Sequence, residues 1–411
     1  MRAVGAVVGT LTAVSMGFAP SAAGYDARSK QWYLESMQAE QMWKASTGKG
    51  VKIALIDTGV NANTSALKGQ VLAGEVPKSV AYHATDDYVG HGTSMAELIA
   101  GTGSGGGLQG LAPDAKIVPY RVQLEGLKSG AEKGKTPKAW EALRAAADTD
   151  AKIISMSFGG MTTDEDEAAV KYAASKGKLL IAAVGNNASD GGSGLIDYPA
   201  AYPYVIGIAS ANKSLTVSKF SSRGNYVDLV APGEGFPGWC NANFRSYCDD
   251  RNGTSPAAAI ASASAALIWS AHPNWTVNQV TRSLIDTAGR TWAKDNPSKY
   301  AGYGLVRPRK VLANPYYNAG PAYSDPLAKE NKTDGEELVT EVSPSPSPSP
   351  SASASSQAPK ESSGGATSAA GSSAESSNDS SKSLWIALGA AAAGIVIGGA
   401  GVAVMRARRV T

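Results

Sequence analysis

Four short aliphatic runs separated by helix-like stretches constrain the fold of this chain most tightly. The runs are VKIALI at 51–56, KIVPY at 116–120, KIISMS at 152–157 and LLIAAV at 179–184, and helical stretches follow the first three at 93–100, 138–147 and 167–175. Runs this apolar have no polar face, so each strand must be covered on both sides. Strand and helix in alternation imply an α/β fold, a parallel sheet with helices on both faces, whose ligands sit at the carboxyl ends of the strands. No repeat recurs at solenoid periods, so one domain spans 50–315. With 43% hydrophobic residues, the 411-residue chain can build a core of that size.

The two ends differ in composition from this middle. Arg2, an apolar small-residue stretch over 3–18 and Ser21-Ala22-Ala23 read as a secretory signal over 1–23, with a buried N-terminal helix as the plainer alternative. A short extension, 24–49, precedes the domain. At the other end, 384–405 is uncharged and mostly apolar, long enough to span a bilayer as one transmembrane helix, and Arg406, Arg408 and Arg409 follow at once. The positive-inside rule puts the tail, 406–411, in the cytoplasm and the domain outside the cell membrane. Between them 316–383 reads as a linker; its part 342–382 is mainly Ser, Pro, Ala and Gly, opening on a Ser-Pro alternation at 343–350. That composition predicts a disordered tether with a reach on the order of 100 Å.

Net charge is +3, without a long basic run or stripe, which excludes nucleic acid as an expected partner. The two cysteines, Cys240 and Cys248, stand close together in GFPGWCNANFRSYCDD, without the further ligands a zinc site needs. An exported domain favours a disulfide there, worth about 2–3 kcal/mol; a cytoplasmic one would favour free thiols.

Three residues carry the chemistry. Asp57 ends the first aliphatic run, before Thr58-Gly59; alone this is a turn aspartate as readily as a catalytic one. A pair of Asp-Thr-Gly segments would suggest an aspartic protease, but the chain has no second copy. His91 stands between Gly90 and Gly92 at the start of a helix, a setting that His83 and His272 lack. Ser255 follows Asn252-Gly253-Thr254 and opens an Ala-rich helix running to Trp269, with Pro256 at or near its first position; a helix cap is the ordinary reading of such a serine. A hydroxyl attacks a carbonyl only when a base removes its proton, and His91 is the available base.

Asp57-Thr58-Gly59, Gly90-His91-Gly92-Thr93 and Asn252-Gly253-Thr254-Ser255, in that order, closely resemble the three signature motifs of the subtilisin-like serine proteases. Ala183-Val184-Gly185-Asn186 resembles the stretch that supplies that family's oxyanion asparagine, and Ser157-Phe158-Gly159 the strand edge that binds the substrate backbone. The resemblance covers roughly 40–312. It implies a subtilisin-like fold, a triad of Asp57, His91 and Ser255, and an oxyanion hole of Asn186 and the Ser255 N–H acting on a protein or peptide. It implies no required cofactor; many relatives bind structural calcium, but no carboxylate pattern here compels a metal site. Pro256 departs from the family, which has proline later.

The short extension, the Ser/Pro tether and the terminal apolar run together resemble the mycosins, subtilisin-like proteases associated with type VII secretion in actinobacteria. That resemblance implies a membrane-anchored extracytoplasmic endopeptidase with secretion-system partners. The alternative it leaves open is a structural subunit of such a complex whose proteolysis is dispensable.

Overall fold

A computed structural model describes residues 25–188 and 194–331. The expected signal at 1–23, tether at 342–382, membrane helix at 384–405 and tail at 406–411 lie outside the described residues. No helix among those described is long and apolar enough to cross a membrane.

The sheet has six parallel strands, β1 (Lys52–Asp57), β2 (Lys116–Arg121), β3 (Ile153–Met156), β4 (Leu179–Ala183), β5 (Val205–Ala211) and β6 (Leu229–Pro232), ordered β2-β1-β3-β4-β5-β6. The helices are α1 (Trp32–Ser36), α2 (Ala39–Trp43), α3 (His91–Ala100), α4 (Gly130–Lys135), α5 (Ala139–Ala147), α6 (Asp164–Ser175), α7 (Thr254–Ala271), α8 (Val277–Thr287) and α9 (Arg309–Leu312). Successive strand residues point to opposite faces. Ile53, Leu55, Ile153 and Ile181 therefore join one core with α3 and α7, while Ala54, Ile56, Ile154 and Leu180 join the other with α5 and α6.

Because β1 is flanked by β2 on one side and β3 on the other, chain direction across the sheet reverses beside β1. Such a switch point leaves a crevice at the carboxyl ends of the two strands, and Asp57 ends one of them. α7 is apolar on every side and buried along most of its 18 residues, as suits a helix laid through the centre of the domain.

Local chemistry extends α6 beyond the stretch read from sequence. α6 begins three residues before 167, where Thr163 caps it: the Thr163 Oγ1 accepts from Asp166 N and Asp166 reaches back to Thr163 N. Asp164, Glu165, Asp166 and Glu167 in its first turn also suit the positive end of the helix dipole. A hairpin of β7 (Phe236–Trp239) and β8 (Tyr247–Arg251) stands apart from the main sheet, and the Cys240–Cys248 disulfide links its two arms.

Both flanks of the domain pack more than composition suggests. In the extension, Tyr33 is fully buried and stacks on Phe236 at 4.5 Å, and Trp32 Nε1 donates to Glu234 O at 3.0 Å. The linker boundary at 316 needs correction, since the fold continues to at least Asn331. Leu327 is buried, the Asn331 Oδ1 accepts from Tyr204 N at 2.7 Å, and Tyr303 Oη donates to Glu330 at 2.7 Å. Burial, then the charge of Glu330, holds the Asp228 carboxyl well above its usual range. Polar spacing hid this segment, because its few apolar anchors are separated by loop residues.

Tyr33→Ala removes a buried ring whose partner is on the hairpin. It should lower unfolding free energy by about 3–5 kcal/mol in denaturant titration; a change below about 1 kcal/mol would show that the extension is not part of the core.

Candidate active site

β1 carries Asp57 to the crevice with its side chain 1% exposed, while His91, the first residue of α3, keeps its side chain 30% exposed. The His91 Nδ1 donates to Asp57 Oδ1 at 2.7 Å. A carboxylate only accepts, so Nδ1 carries the hydrogen and Nε2 remains free as a base. Two glycines permit this approach. A Cβ on Gly92 would lie 2.2 Å from Gly59 O and 3.0 Å from Asp57 Oδ1, and Gly59, at φ +108°, would place one 2.3 Å from Asp86 O.

Asp87, buried at 4% exposure, fastens the loop before α3. Its Oδ1 accepts from Thr58 Oγ1, Val89 N and Gly90 N at 2.9, 3.0 and 2.8 Å, and its Oδ2 from Thr93 N and Thr93 Oγ1 at 2.9 and 2.6 Å. Thr58 Oγ1 in turn accepts from Gly92 N at 3.0 Å, which ties the Asp57 loop to the His91 helix. Burial disfavours the charged imidazole, but the charge and hydrogen bond of Asp57, with smaller contributions from Asp87 and Glu125, outweigh it. His91 therefore titrates above the usual histidine value.

Ser255 is the second residue of α7, inside the helix rather than its cap, and Pro256 is the third. First-turn amides have no intrahelical partner, so Pro256 breaks no helix bond and the Ser255 N–H points out of the helix end. The Ser255 Oγ donates to Ser157 O at 3.1 Å and Ser157 Oγ donates to Ser255 O at 3.3 Å. Asn186 follows β4, and its Oδ1 accepts from Thr254 N at 2.9 Å and Thr254 Oγ1 at 3.2 Å. That pairing leaves the amide Nδ2 as the donor unengaged among the described residues. Its neighbour Asn187 turns Nδ2 to Asp197 instead, at 2.9 and 3.1 Å.

His91, Asn186 and Ser255 line one cavity of about 250 Å³, together with Met95, Trp239 and Pro256. Ser157, Phe158 and Gly159 are not among its lining residues; they lie past the end of β3, joined to the site through Ser255. The Cys240–Cys248 hairpin forms a wall. Trp239 N donates to Ser94 Oγ at 3.0 Å, and Tyr247 Oη to Glu97 Oε2 at 2.7 Å. Burial pushes the Glu97 carboxyl up to about 7, against the hydrogen bonds from Tyr247 and Thr64. Among the described residues no group of three or more His, Cys, Asp or Glu is placed to hold a metal ion.

Sequence reading passed over Asp87, Thr254 and Glu97. Asp87 carries a usable signal, an aspartate three residues before Gly90 in a turn-like segment. Glu97 also carries one, as the lone charge of an otherwise uncharged helix segment. Thr254 has none, since its role depends on Asn186, 68 positions away.

The family described as "Subtilase family" matches residues 48–304. Thermitase of Thermoactinomyces vulgaris is 33% identical over 289 residues, covering 66% of this chain and 95% of thermitase. The major intracellular serine protease of Bacillus subtilis (strain 168) is 35% identical over 209 residues, which are 49% of this chain and 64% of that protein. This chain thus spans a little under two thirds of that relative. Among solved structures, the MycP3 protease from the type VII (ESX-3) secretion system is similar with a TM-score of 0.55 and 28% identity, over 71% of this chain and 90% of that one.

The raised His91 value has a direct kinetic reading, because only neutral imidazole accepts a proton. In a pH profile of kcat/KM, the acid limb should fall above the ordinary histidine value of about 6.5, with activity rising through it. Asp57→Asn removes the charge that opposes burial, so the limb should shift to lower pH while the rate falls by about 10⁴-fold. A limb that stays in place in Asp57→Asn contradicts this origin of the shift.

Proposed function

The chain belongs to the subtilase family, a family of serine endopeptidases that act without a cofactor, and from its C-terminal apolar run and its likeness to MycP3 we propose that it is a membrane-anchored, extracytoplasmic peptidase associated with type VII secretion. The observation that carries the catalytic reading is the meeting of His91, Asn186 and Ser255 at one cavity, with Asp57 bonded behind His91.

In the reaction, Ser255 Oγ–H turns from Ser157 O to His91 Nε2. As the Oγ–C bond forms on the scissile carbonyl, the proton passes to His91, and Asp57 holds the resulting imidazolium. The carbonyl oxygen becomes an oxyanion between Asn186 Nδ2 and the Ser255 N–H, two donors fixed beforehand by Thr254 and by the helix end. His91 returns the proton to the amine as the C–N bond breaks. Water, deprotonated by His91, then releases the new carboxyl group and restores Ser255. The edge at Ser157, Phe158 and Gly159 would hold the substrate backbone on the acyl side.

Two features support the setting. The apolar run at 384–405 followed by Arg406, Arg408 and Arg409 fits a single anchor with its C-terminus in the cytoplasm and its domain outside. The disulfide fits an oxidising compartment. The likeness to MycP3 supports the link to type VII secretion, with protein substrates and secretion-system components as partners.

Treatment of the chain with a fluorophosphonate probe should label Ser255, and Ser255→Ala should remove both the label and peptide hydrolysis. Persistent labelling of Ser255→Ala would identify another nucleophile.

A further inference from the structure

A cavity larger than the catalytic one lies elsewhere on this domain. It holds about 590 Å³ and shares no lining residue with the site cavity. Its floor is aliphatic, formed by Val230, Leu305 and Val306, and Arg290, Arg307 and Arg309 stand on its walls. Met37 of the N-terminal extension closes one side, and Leu215, 45% exposed, marks its mouth.

The three arginines have no carboxylate partner among the described residues. Arg290 donates to the carbonyls of Ile285 and Tyr303 at 2.7 and 3.0 Å, and Arg307 to those of Thr287 and Ala288 at 2.8 and 3.1 Å. Arg309 has no side-chain hydrogen bond among these residues. Burial, then the charges of Arg309 and Arg290, lower the Arg307 pKa. Cations gathered on an apolar floor suit a ligand with closely spaced carboxylates and aliphatic side chains.

The sequence just past the last described residue has this character. Thr333-Asp334-Gly335-Glu336-Glu337-Leu338-Val339-Thr340-Glu341-Val342 carries four carboxylates and three aliphatic side chains, starting two positions after Asn331. The last described residues lie near the cavity: Glu330 is bonded to Tyr303, whose carbonyl accepts from Arg290 and whose near neighbours Ala301 and Leu305 line the cavity. Six residues, Asn331 to Glu337, reach about 20 Å when extended, ample for that step.

We propose that residues 334–342 of this chain occupy the arginine-lined cavity, with their carboxylates on Arg290, Arg307 and Arg309 and Leu338 and Val339 on the aliphatic floor. The contact fastens the domain at the point where the chain leaves it, next to the N-terminal extension. It is independent of the catalytic reading.

The test uses the full-length chain and a fluorescent peptide with the sequence of residues 333–342, followed by anisotropy. In the unchanged chain the tethered segment competes at millimolar effective concentration. A chain with Asp334→Ser, Glu336→Ser, Glu337→Ser and Glu341→Ser should therefore bind the peptide at least roughly tenfold more tightly than the unchanged chain. Adding Arg309→Glu to that variant should reverse the gain, and Arg309→Lys should retain part of it. Equal binding to both chains would mean the cavity is open to acidic peptides of other proteins, and overturns the proposal. Absence of binding to the Ser variant, or binding indifferent to Arg309→Glu, overturns it as well.

Discussion

The hydrogen bond from His91 to Asp57 sets the conditions for the rest of the site. It requires the end of a central strand and the start of a helix to meet within one imidazole's reach, which only glycine at 59 and 92 allows. The Thr58–Asp87–Thr93 network then holds the two segments in that contact. Without such ties a partly exposed histidine at the first position of a helix would sample many orientations, which would separate base from nucleophile. The sheet's reversal beside β1 supplies the crevice, and α7, running through the core, fixes Ser255 against it.

The same geometry divides labour between charge and dipole. Asp57 keeps His91 basic against burial, whereas the proposed oxyanion donors, Asn186 Nδ2 and the Ser255 N–H, are neutral groups oriented in advance. Thr254 is central to the second part: by engaging the Asn186 carbonyl oxygen it determines which end of the amide faces the cleft. A donor aimed before reaction needs no reorganisation as charge develops, the main source of its effect on rate.

Much of this was legible in the sequence, and the physical reason is locality. Buried parallel strands announce themselves as unbroken aliphatic runs, so β1 to β4 were read within a residue or two. Asp57, His91 and Ser255 each sit at a strand or helix end with glycine one or two positions away, and their order carries the resemblance. What escaped depends on partners distant in sequence. β5 mixes Gly and Ser into its run, Thr254 acts on Asn186, and Glu97 meets Tyr247 across 150 positions. The segment at 316–331 reads as linker because its anchors, Leu327, Glu330 and Asn331, are spaced as in a loop. Pro256, an oddity in sequence, proves harmless at a helix position whose N–H would be unpaired.

The central claim is that Asn186, oriented by Thr254, and not Asn187 stabilises the charge that forms when Ser255 attacks. Comparing kcat for Asn186→Ala and Asn187→Ala on one peptide substrate tests it most directly. The account predicts a loss of roughly 10² to 10³ for Asn186→Ala with KM nearly unchanged, and a far smaller loss for Asn187→Ala. Equal losses, or the larger one at Asn187, would contradict it.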